Sequence, residues 1–189
     1  MEKEPTLELG VNTEGAKRIL KIAHEVGALL KGEFTLTSGK KSTFYFDAKK
    51  LTLSPGGAYH IGKAIFDQLA ESGVDAVGGV ATGAYPIVAA VAVVSYLEGK
   101  PFPSFIVREV AKEHGTKRQI EGHLKEGSRV AIVDDVLTTG GSVLKAIEAV
   151  EAKKCQVVKV IVLVDRHEGG GDRLKKAGYD FVALLSLVH

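Results

Sequence analysis

Cysteine is nearly absent from this chain of 189 residues, which contains Cys155 alone. A single cysteine excludes an internal disulfide and a zinc site built from several cysteines. A surplus of charge of one sign is also missing, because 25 Lys and Arg residues stand against 23 Asp and Glu residues. The resulting net charge of +2 gives no electrostatic support for a nucleic-acid-binding protein.

Long apolar runs are missing as well. The longest spans residues 87–94, far fewer than the roughly 20 residues that a membrane-spanning helix needs. Residues 1–10 have two acidic residues among the first four and no apolar core, so we expect no secretory signal there. With 45% hydrophobic and 25% charged residues, the composition is that of a soluble globular protein, and we expect a cytoplasmic one with no membrane partner.

Strand-like and helix-like segments alternate along residues 75–164. Nearly continuous apolar runs predict strands at residues 75–80, 102–107, 129–134 and 157–164. Helical spacing predicts helices between them, at residues 86–97 and 142–153. Such strands indicate an α/β fold, a parallel sheet with helices on both faces. Sheets of this kind bind ligands beyond the carboxyl ends of their strands, where the glycine-bearing loops of this chain fall.

The amino-terminal part of the chain has a different pattern. Apolar residues at three- and four-residue spacing predict a helix over residues 14–30, which Gly32 would end. The aromatic and β-prone residues 42–48 predict an extended segment, and helical spacing returns over residues 57–71. Because no repeat or linker divides the sequence, we expect a single domain over residues 1–189.

The strongest chemical signal is residues 130–142, in which an apolar strand leads through a glycine-rich turn into a helix. Gly140 and Gly141 let the backbone approach a ligand closely, and free N–H groups at a helix start suit a phosphate. Asp134 and Asp135 would repel a phosphate but accept hydrogen bonds well, which indicates a ligand that also carries sugar hydroxyls. The alternative is an ordinary strand–turn–helix with an aspartate-capped turn.

A second signal lies in residues 108–122, which are polar, lack sustained helical periodicity and join two predicted strands. Long polar loops in compact domains often act as lids over a site. An isolated charge run of this kind would more often be a solvated connection. The loop contains cationic side chains suited to a diphosphate: Arg108, Lys112, His114, Lys117 and Arg118.

These motifs resemble one family. Residues 130–142 look like the 5-phosphoribosyl-1-diphosphate (PRPP) signature of the type I phosphoribosyltransferases. The order Arg-x3-Lys-x-His-Gly from Arg108, with its histidine twenty residues before Asp134, resembles the orotate phosphoribosyltransferases in particular. Residues 32–47 and the run Asp-Arg-His-Glu-Gly-Gly from Asp165 are similar to two further segments of that family. The resemblance implies a type I phosphoribosyltransferase core with a small amino-terminal hood.

The resemblance also implies a role for each matching residue. Lys112, His114, Asp134 and Asp135 would be catalytic. Orotate would contact Thr138, Arg166, Tyr45 and Phe46. The PRPP-binding residues would be Arg108, Lys112, His114, Asp134, Asp135, Val136, Leu137, Thr138, Thr139, Gly140, Gly141 and Ser142, with Thr82 and Gly83 from a diphosphate loop at residues 79–83.

The implied reaction is orotate plus PRPP giving orotidine 5′-monophosphate plus diphosphate, a step of pyrimidine synthesis. Mg²⁺ would be held mainly by substrate oxygens, with no dedicated metal site on the protein. In the family the loop lysine and histidine, here Lys112 and His114, reach across from the neighbouring subunit, which implies a homodimer with shared active sites.

Three positions depart from the family pattern, because many members have lysine where this chain has Thr37, Gly83 and Glu109. Residues 82–86 are similar to a branch with the same Thr-Gly-Ala-Tyr-Pro sequence, so we interpret these changes as subfamily variation. Two alternatives stay open. One is the same transfer to another base, such as a purine, and the other is a non-catalytic PRPP-sensing regulator that binds nucleic acid. A regulator should carry a basic face, for which the net charge gives no support.

Overall fold

Fifteen elements of secondary structure lie within residues 5–35, 41–108 and 119–188, which this computed structural model describes. In chain order they are β1 (Thr6–Leu9), α1 (Glu14–Glu25), β2 (Leu29–Thr35), β3 (Lys41–Phe46), α2 (Ala48–Thr52), α3 (Pro55–Leu69), β4 (Ala76–Val80), α4 (Tyr85–Leu97), β5 (Ser104–Val107), β6 (Ile120–Gly122), β7 (Arg129–Leu137), α5 (Gly141–Glu151), β8 (Gln156–Asp165), α6 (Gly170–Lys176) and β9 (Phe181–Val188).

Seven strands form one sheet in the order β1-β9-β8-β7-β4-β5-β6. The five inner strands are parallel, and β1 and β6 pair antiparallel at the two edges. The predicted parallel α/β fold is therefore confirmed. Strands β2 and β3 form a separate antiparallel ribbon in the amino-terminal part of the chain.

Strand β7 shows how both faces of the sheet are covered. Ala131 and Val133 belong to a core shared with α1, α3 and α4, whereas Val130 and Ile132 belong to a second core shared with α5 and α6. Successive side chains of a strand point to opposite faces, so a strand with a core on each side must be apolar throughout. Among the helices of the described residues, none is long and apolar enough to cross a membrane.

The carboxyl ends of four adjacent strands meet at one edge of the sheet. Val80 of β4 is in register with Val107 of β5, and Leu137 of β7 is in register with Asp165 of β8. Strand β4 also pairs with β7, so the ends of β5, β4, β7 and β8 lie side by side along this edge. The loops that leave this edge contain most of the residues for which the sequence predicts a role.

The predicted helix over residues 14–30 is wrong beyond Glu25. Gly27 adopts a left-handed conformation with φ of +60°, which ends the helix, and Leu29 then starts β2. Leu29 and Leu30 pair with β3 rather than continuing a helix, so Gly32 lies inside a strand and caps nothing. The apolar spacing misleads here because Leu29, the first residue of β2, is also packed against the core.

Candidate active site

The phosphate turn (residues 138–141) connects β7 to α5 beyond the carboxyl edge of the sheet. Strand β7 continues three residues past its predicted end at Asp134, to Leu137. Gly140 has φ of +78°, a left-handed conformation that favours glycine, and α5 begins at the next residue. The turn, the strand end and the first turn of α5 surround a cavity of about 200 Å³. Backbone N–H groups at a helix start suit an anionic group in such a cavity.

The two aspartates lie on opposite faces of β7. Asp134 is buried and lines the cavity of the phosphate turn, while its Oδ1 accepts a hydrogen bond from the N–H of Asp135 at 2.9 Å. Asp135 lies on the other face, where its Oδ1 accepts from the N–H of Val136 at 2.8 Å. Alternation along a strand explains this split. The pair can therefore present carboxylate oxygens to two sides of one ligand.

Gly83 brings the loop after β4 against Asp135. A Cβ atom at this position would lie 2.3 Å from the carboxylate of Asp135, closer than any real contact allows. A side chain at position 83 would have to displace the Asp135 carboxylate. Glycine at position 83, where many family members have lysine, therefore leaves room for the carboxylate of Asp135.

The segment after β8 is bonded to the phosphate turn. The N–H of Arg166 donates to the carbonyl oxygen of Leu137 at 3.0 Å, and the N–H of Gly170 donates to that of Thr138 at 2.9 Å. The buried carboxylate of Asp165 accepts from the N–H of His167 at 2.9 Å and holds the turn between them. Arg166 is consequently fixed beside the phosphate turn, and its contact with orotate stays a prediction.

The resemblance implies that PRPP binds at this turn, and on that basis we expect Gly170→Ala to raise KM for PRPP at least about tenfold and to destabilise the fold by about 1–3 kcal/mol. The added Cβ would lie 2.5 Å from the carbonyl oxygen of Thr138 and 2.9 Å from the nitrogen of Gly140, both backbone atoms of the phosphate turn. Gly56→Ala is the control, because its Cβ would meet only Ile22 at 3.4 Å. Steady-state kinetics and thermal melting test this, and an unchanged KM would contradict it.

The side chain of Arg166 is largely buried, with 12% of its surface exposed. Its Nε lies 3.0 Å from Oε1 of Glu168, and its guanidinium lies 5.5 Å from the centre of the Phe44 ring. Sequence reasoning missed Phe44, although its position two residues before Phe46 puts both rings on one face of β3. A guanidinium beside an aromatic ring suits a planar, anionic ligand.

The two predicted aromatic residues point to opposite sides of the β2–β3 ribbon. Phe46 is buried in the core, while Tyr45 is 41% exposed and packs against Phe34 with ring centres 5.7 Å apart. Phe44, whose ring lies beside Arg166, is on the same face as Phe46 and on the opposite face from Tyr45. Contact of Tyr45 and Phe46 with a base stays a prediction.

Arg108 leaves the carboxyl end of β5 beside the diphosphate loop. Its Nη2 donates to the hydroxyl of Tyr85 at 3.4 Å, and its Nε lies 3.5 Å from Oε2 of Glu121 on β6. Thr82 and Gly83 lie in the loop that precedes Tyr85. Lys112 and His114, like Thr37 and Glu109, lie outside the described residues.

Two arginines contain buried donors that lack an acceptor. In the described part of the chain, the buried side-chain polar atoms without a hydrogen bond are the Nε atoms of Arg108 and Arg166, and Oγ1 of Thr52. Each Nε has a glutamate oxygen nearby, but the N–H is not aligned with it. A buried donor left unpaired costs about 1–3 kcal/mol, so a ligand that supplies an acceptor to either Nε would gain binding energy there.

Lys145 is a further cation that sequence reasoning missed. It stands on α5 three residues after Ser142, hence on the same side of the helix, and lines the cavity of the phosphate turn. The helix predicted over residues 142–153 already places Lys145 on the same side as Ser142, so the sequence contained the signal for this residue. A lysine at that position adds positive charge to a site already suited to phosphate.

Comparisons with known proteins show the family to which the chain belongs. Residues 49–181 match the phosphoribosyl transferase domain family. Orotate phosphoribosyltransferase of Aquifex aeolicus is 44% identical over 171 residues, which cover 90% of each chain. A crystal structure of orotate phosphoribosyltransferase from Mycobacterium tuberculosis with Fe(III) dicitrate is 32% identical, with a TM-score of 0.79, and covers 92% of this chain and 97% of that one. The same enzyme in complex with PRPP is 28% identical, with a TM-score of 0.75 and coverages of 92% and 96%.

Proposed function

The chain belongs to the orotate phosphoribosyltransferase family, and we propose that it transfers the 5-phosphoribosyl group of PRPP to orotate. The products are orotidine 5′-monophosphate and diphosphate, in a step of pyrimidine synthesis. One observation carries the proposal: two backbone hydrogen bonds fix Arg166 beside the phosphate turn. A cation for the carboxylate of the base thereby stands next to a site for the 5′-phosphate.

Each part of PRPP has a matching group at the carboxyl edge of the sheet. The 5′-phosphate fits the phosphate turn at the start of α5, with Lys145 nearby. The carboxylates of Asp134 and Asp135 accept hydrogen bonds from the ribose hydroxyls. The diphosphate lies towards Arg108 and the loop containing Thr82 and Gly83. This arrangement leaves C1 of the ribose between the diphosphate and the base.

The reaction needs charge stabilisation more than a base. The bond from C1 of the ribose to the diphosphate oxygen breaks with its electron pair on the oxygen, while a ring nitrogen of orotate bonds to C1 and releases its proton to the leaving diphosphate or to solvent. Positive charge builds on the ribose and negative charge on the leaving diphosphate, so cations at the diphosphate lower the barrier. Lys112 would supply such charge, and His114 could donate a hydrogen bond or proton to the leaving group. Orotate is already anionic, and Arg166 orients its carboxylate.

Mg²⁺ fits the donors of this site. Phosphate and hydroxyl oxygens of PRPP would hold most of the ion, and the carboxylates of Asp134 and Asp135 are oxygen donors of the kind that Mg²⁺ prefers. Within the described ranges, no group of three or more His, Cys, Asp or Glu side chains is arranged around a possible metal position. Bound mainly to substrate oxygens, Mg²⁺ would reduce the charge repulsion between diphosphate and the aspartates. The absence of a dedicated protein metal site stays a prediction.

The activity is tested by mixing the protein with Mg²⁺, PRPP and orotate and following the loss of orotate absorbance. Parallel reactions contain adenine, hypoxanthine, guanine or uracil instead. Consumption of orotate alone supports the proposal. Consumption of a purine or of uracil would favour transfer to another base. PRPP binding without consumption of any base would favour a PRPP-sensing regulator instead.

A homodimer is supported by an apolar surface on α4. Val93, Tyr96 and Leu97 are each at least 60% exposed, and beside them a groove of about 470 Å³ is lined by residues of α3 and α4 such as Tyr59. Helix α4 begins directly after the diphosphate loop, so a second copy seated on it would lie next to the active site. That position agrees with a loop that reaches across to the neighbouring subunit.

We expect Val93→Glu to convert the dimer to a monomer and to reduce turnover, because a charge would be buried in an apolar contact. Sedimentation velocity reports the mass, and the orotate assay reports turnover. The exposed Lys175→Glu on α6 is the control, since it changes charge away from this surface. A wild-type monomer, or a variant that stays dimeric, would contradict this assignment.

One domain over residues 1–189 is supported by the pairing of β1 with β9, since the two ends of the chain contribute to one sheet. A cytoplasmic location and the lack of nucleic-acid partners stay predictions from the composition.

A further inference from the structure

Each arginine expected to bind a substrate anion has a glutamate beside it. Glu168 lies 3.0 Å from Nε of Arg166, and Glu121 lies 3.5 Å from Nε of Arg108. In both cases Nε is buried and lacks an aligned hydrogen bond. The Glu168 carboxylate is therefore held near the Arg166 guanidinium by charge, whereas Glu121 also accepts a hydrogen bond from Nη2 of Arg108 at 3.5 Å.

The Arg166 pair combines one immobile partner with one exposed partner. The main chain of Arg166 is bonded to Leu137, and its side chain packs over Phe44 with only 12% exposed. Glu168 is 40% exposed and stands between His167 and Gly169, both of which have positive φ. Moving the glutamate side chain into water disturbs no buried contact of the core, whereas moving the arginine would.

We propose that Glu168 is an internal counter-ion of Arg166 that the carboxylate of orotate replaces on binding. The inference rests on the proposed function. Because the glutamate competes with the substrate for one guanidinium, it weakens orotate binding by the free energy of the pair. In return it neutralises a largely buried cation, which would otherwise be costly in the absence of an anion.

The test is the KM for orotate of Glu168→Gln at saturating PRPP. Glutamine keeps the size of the side chain and removes the charge, so the competing ion pair is lost. Partly exposed ion pairs contribute about 0.2–1 kcal/mol, and we therefore expect KM for orotate to fall by about 1.4- to fivefold. A residue that merely shaped the loop, or that held Arg166 in position, would raise KM when substituted.

Glu121→Gln is the matched comparison, because it removes the glutamate beside the other arginine. We expect it to leave KM for orotate unchanged, and Glu168→Gln to leave KM for PRPP unchanged. Thermal melting checks that both variants fold, and Glu168→Ala gives a second variant without the charge.

The outcomes separate this inference from the proposed function. No consumption of orotate by the wild-type protein would overturn the function itself. Wild-type turnover with an equal or higher KM for orotate in both Glu168 variants would overturn the counter-ion role alone. A fall in KM for PRPP as well as for orotate in Glu168→Gln would also overturn it, since the effect would not be confined to Arg166.

Discussion

Replacing Arg166 by lysine is expected to lower kcat/KM for orotate by about two orders of magnitude, or about 3 kcal/mol. A guanidinium presents two parallel N–H donors to a carboxylate, which the single ammonium group of lysine cannot reproduce. Lysine also gives up the planar contact with Phe44, over which the guanidinium lies at 5.5 Å. Since the phosphate turn is unaltered, KM for PRPP should change little. Initial rates with each substrate varied in turn measure both quantities.

Arg173→Lys is the control for this substitution. Arg173 lies on α6, seven residues further along the chain, and is exposed. The same chemical change there should leave both substrates unaffected. Equal losses for orotate and PRPP in Arg166→Lys would instead indicate general damage to the turn, and no loss would remove Arg166 from the orotate site.

The carboxyl edge of the sheet could be predicted from the sequence because the residues that form it follow one another in the chain. Residues 130–142 contain an apolar strand, two acidic residues, two glycines and a helix start in unbroken order, and each part has a distinct pattern. The structure places them as β7, the phosphate turn and α5. Even the opposite directions of Asp134 and Asp135 follow from the period of two along a strand.

The ribbon of β2 and β3 could not be predicted in the same way. Leu29 and Leu30 continue the spacing of α1, and only their pairing with residues 45 and 46 assigns them to a strand. The apolar spacing within each segment does not show that the two segments pair with each other. Gly27, whose left-handed conformation ends the helix, was the available signal.

The contacts of the two arginines with their glutamates could not be predicted from the local sequence either. Glu121 meets Arg108 because β6 turns back along β5, and an edge strand of three residues has too little pattern to be recognised. Glu168 is only two residues from Arg166, but its contact depends on the positive φ of His167 between them. The contact of Asp135 with Gly83 is a third case, because the loop after β4 approaches the neighbouring strand β7 there.

Lys112→Ala is expected to lower kcat by about 10²–10³-fold while changing KM for orotate much less. The lysine would contribute where negative charge develops on the leaving diphosphate, so its loss raises the barrier rather than weakening the base complex. Lys125→Ala is the control, because Lys125 precedes β7 and lies at the opposite edge of the sheet. Normal turnover in Lys112→Ala would remove this residue from the mechanism.

Mixing the two impaired proteins tests whether Lys112 acts across the subunit interface. In a hybrid dimer of Lys112→Ala with Arg166→Lys, one active site would combine the intact Arg166 of one subunit with the intact Lys112 of the other. Random reassociation of equal amounts makes half of the dimers hybrids, each with one restored site, so activity should recover to about a quarter of the wild-type value per site. If both residues served the same subunit, every site in the mixture would contain one of the two defects and no recovery would occur.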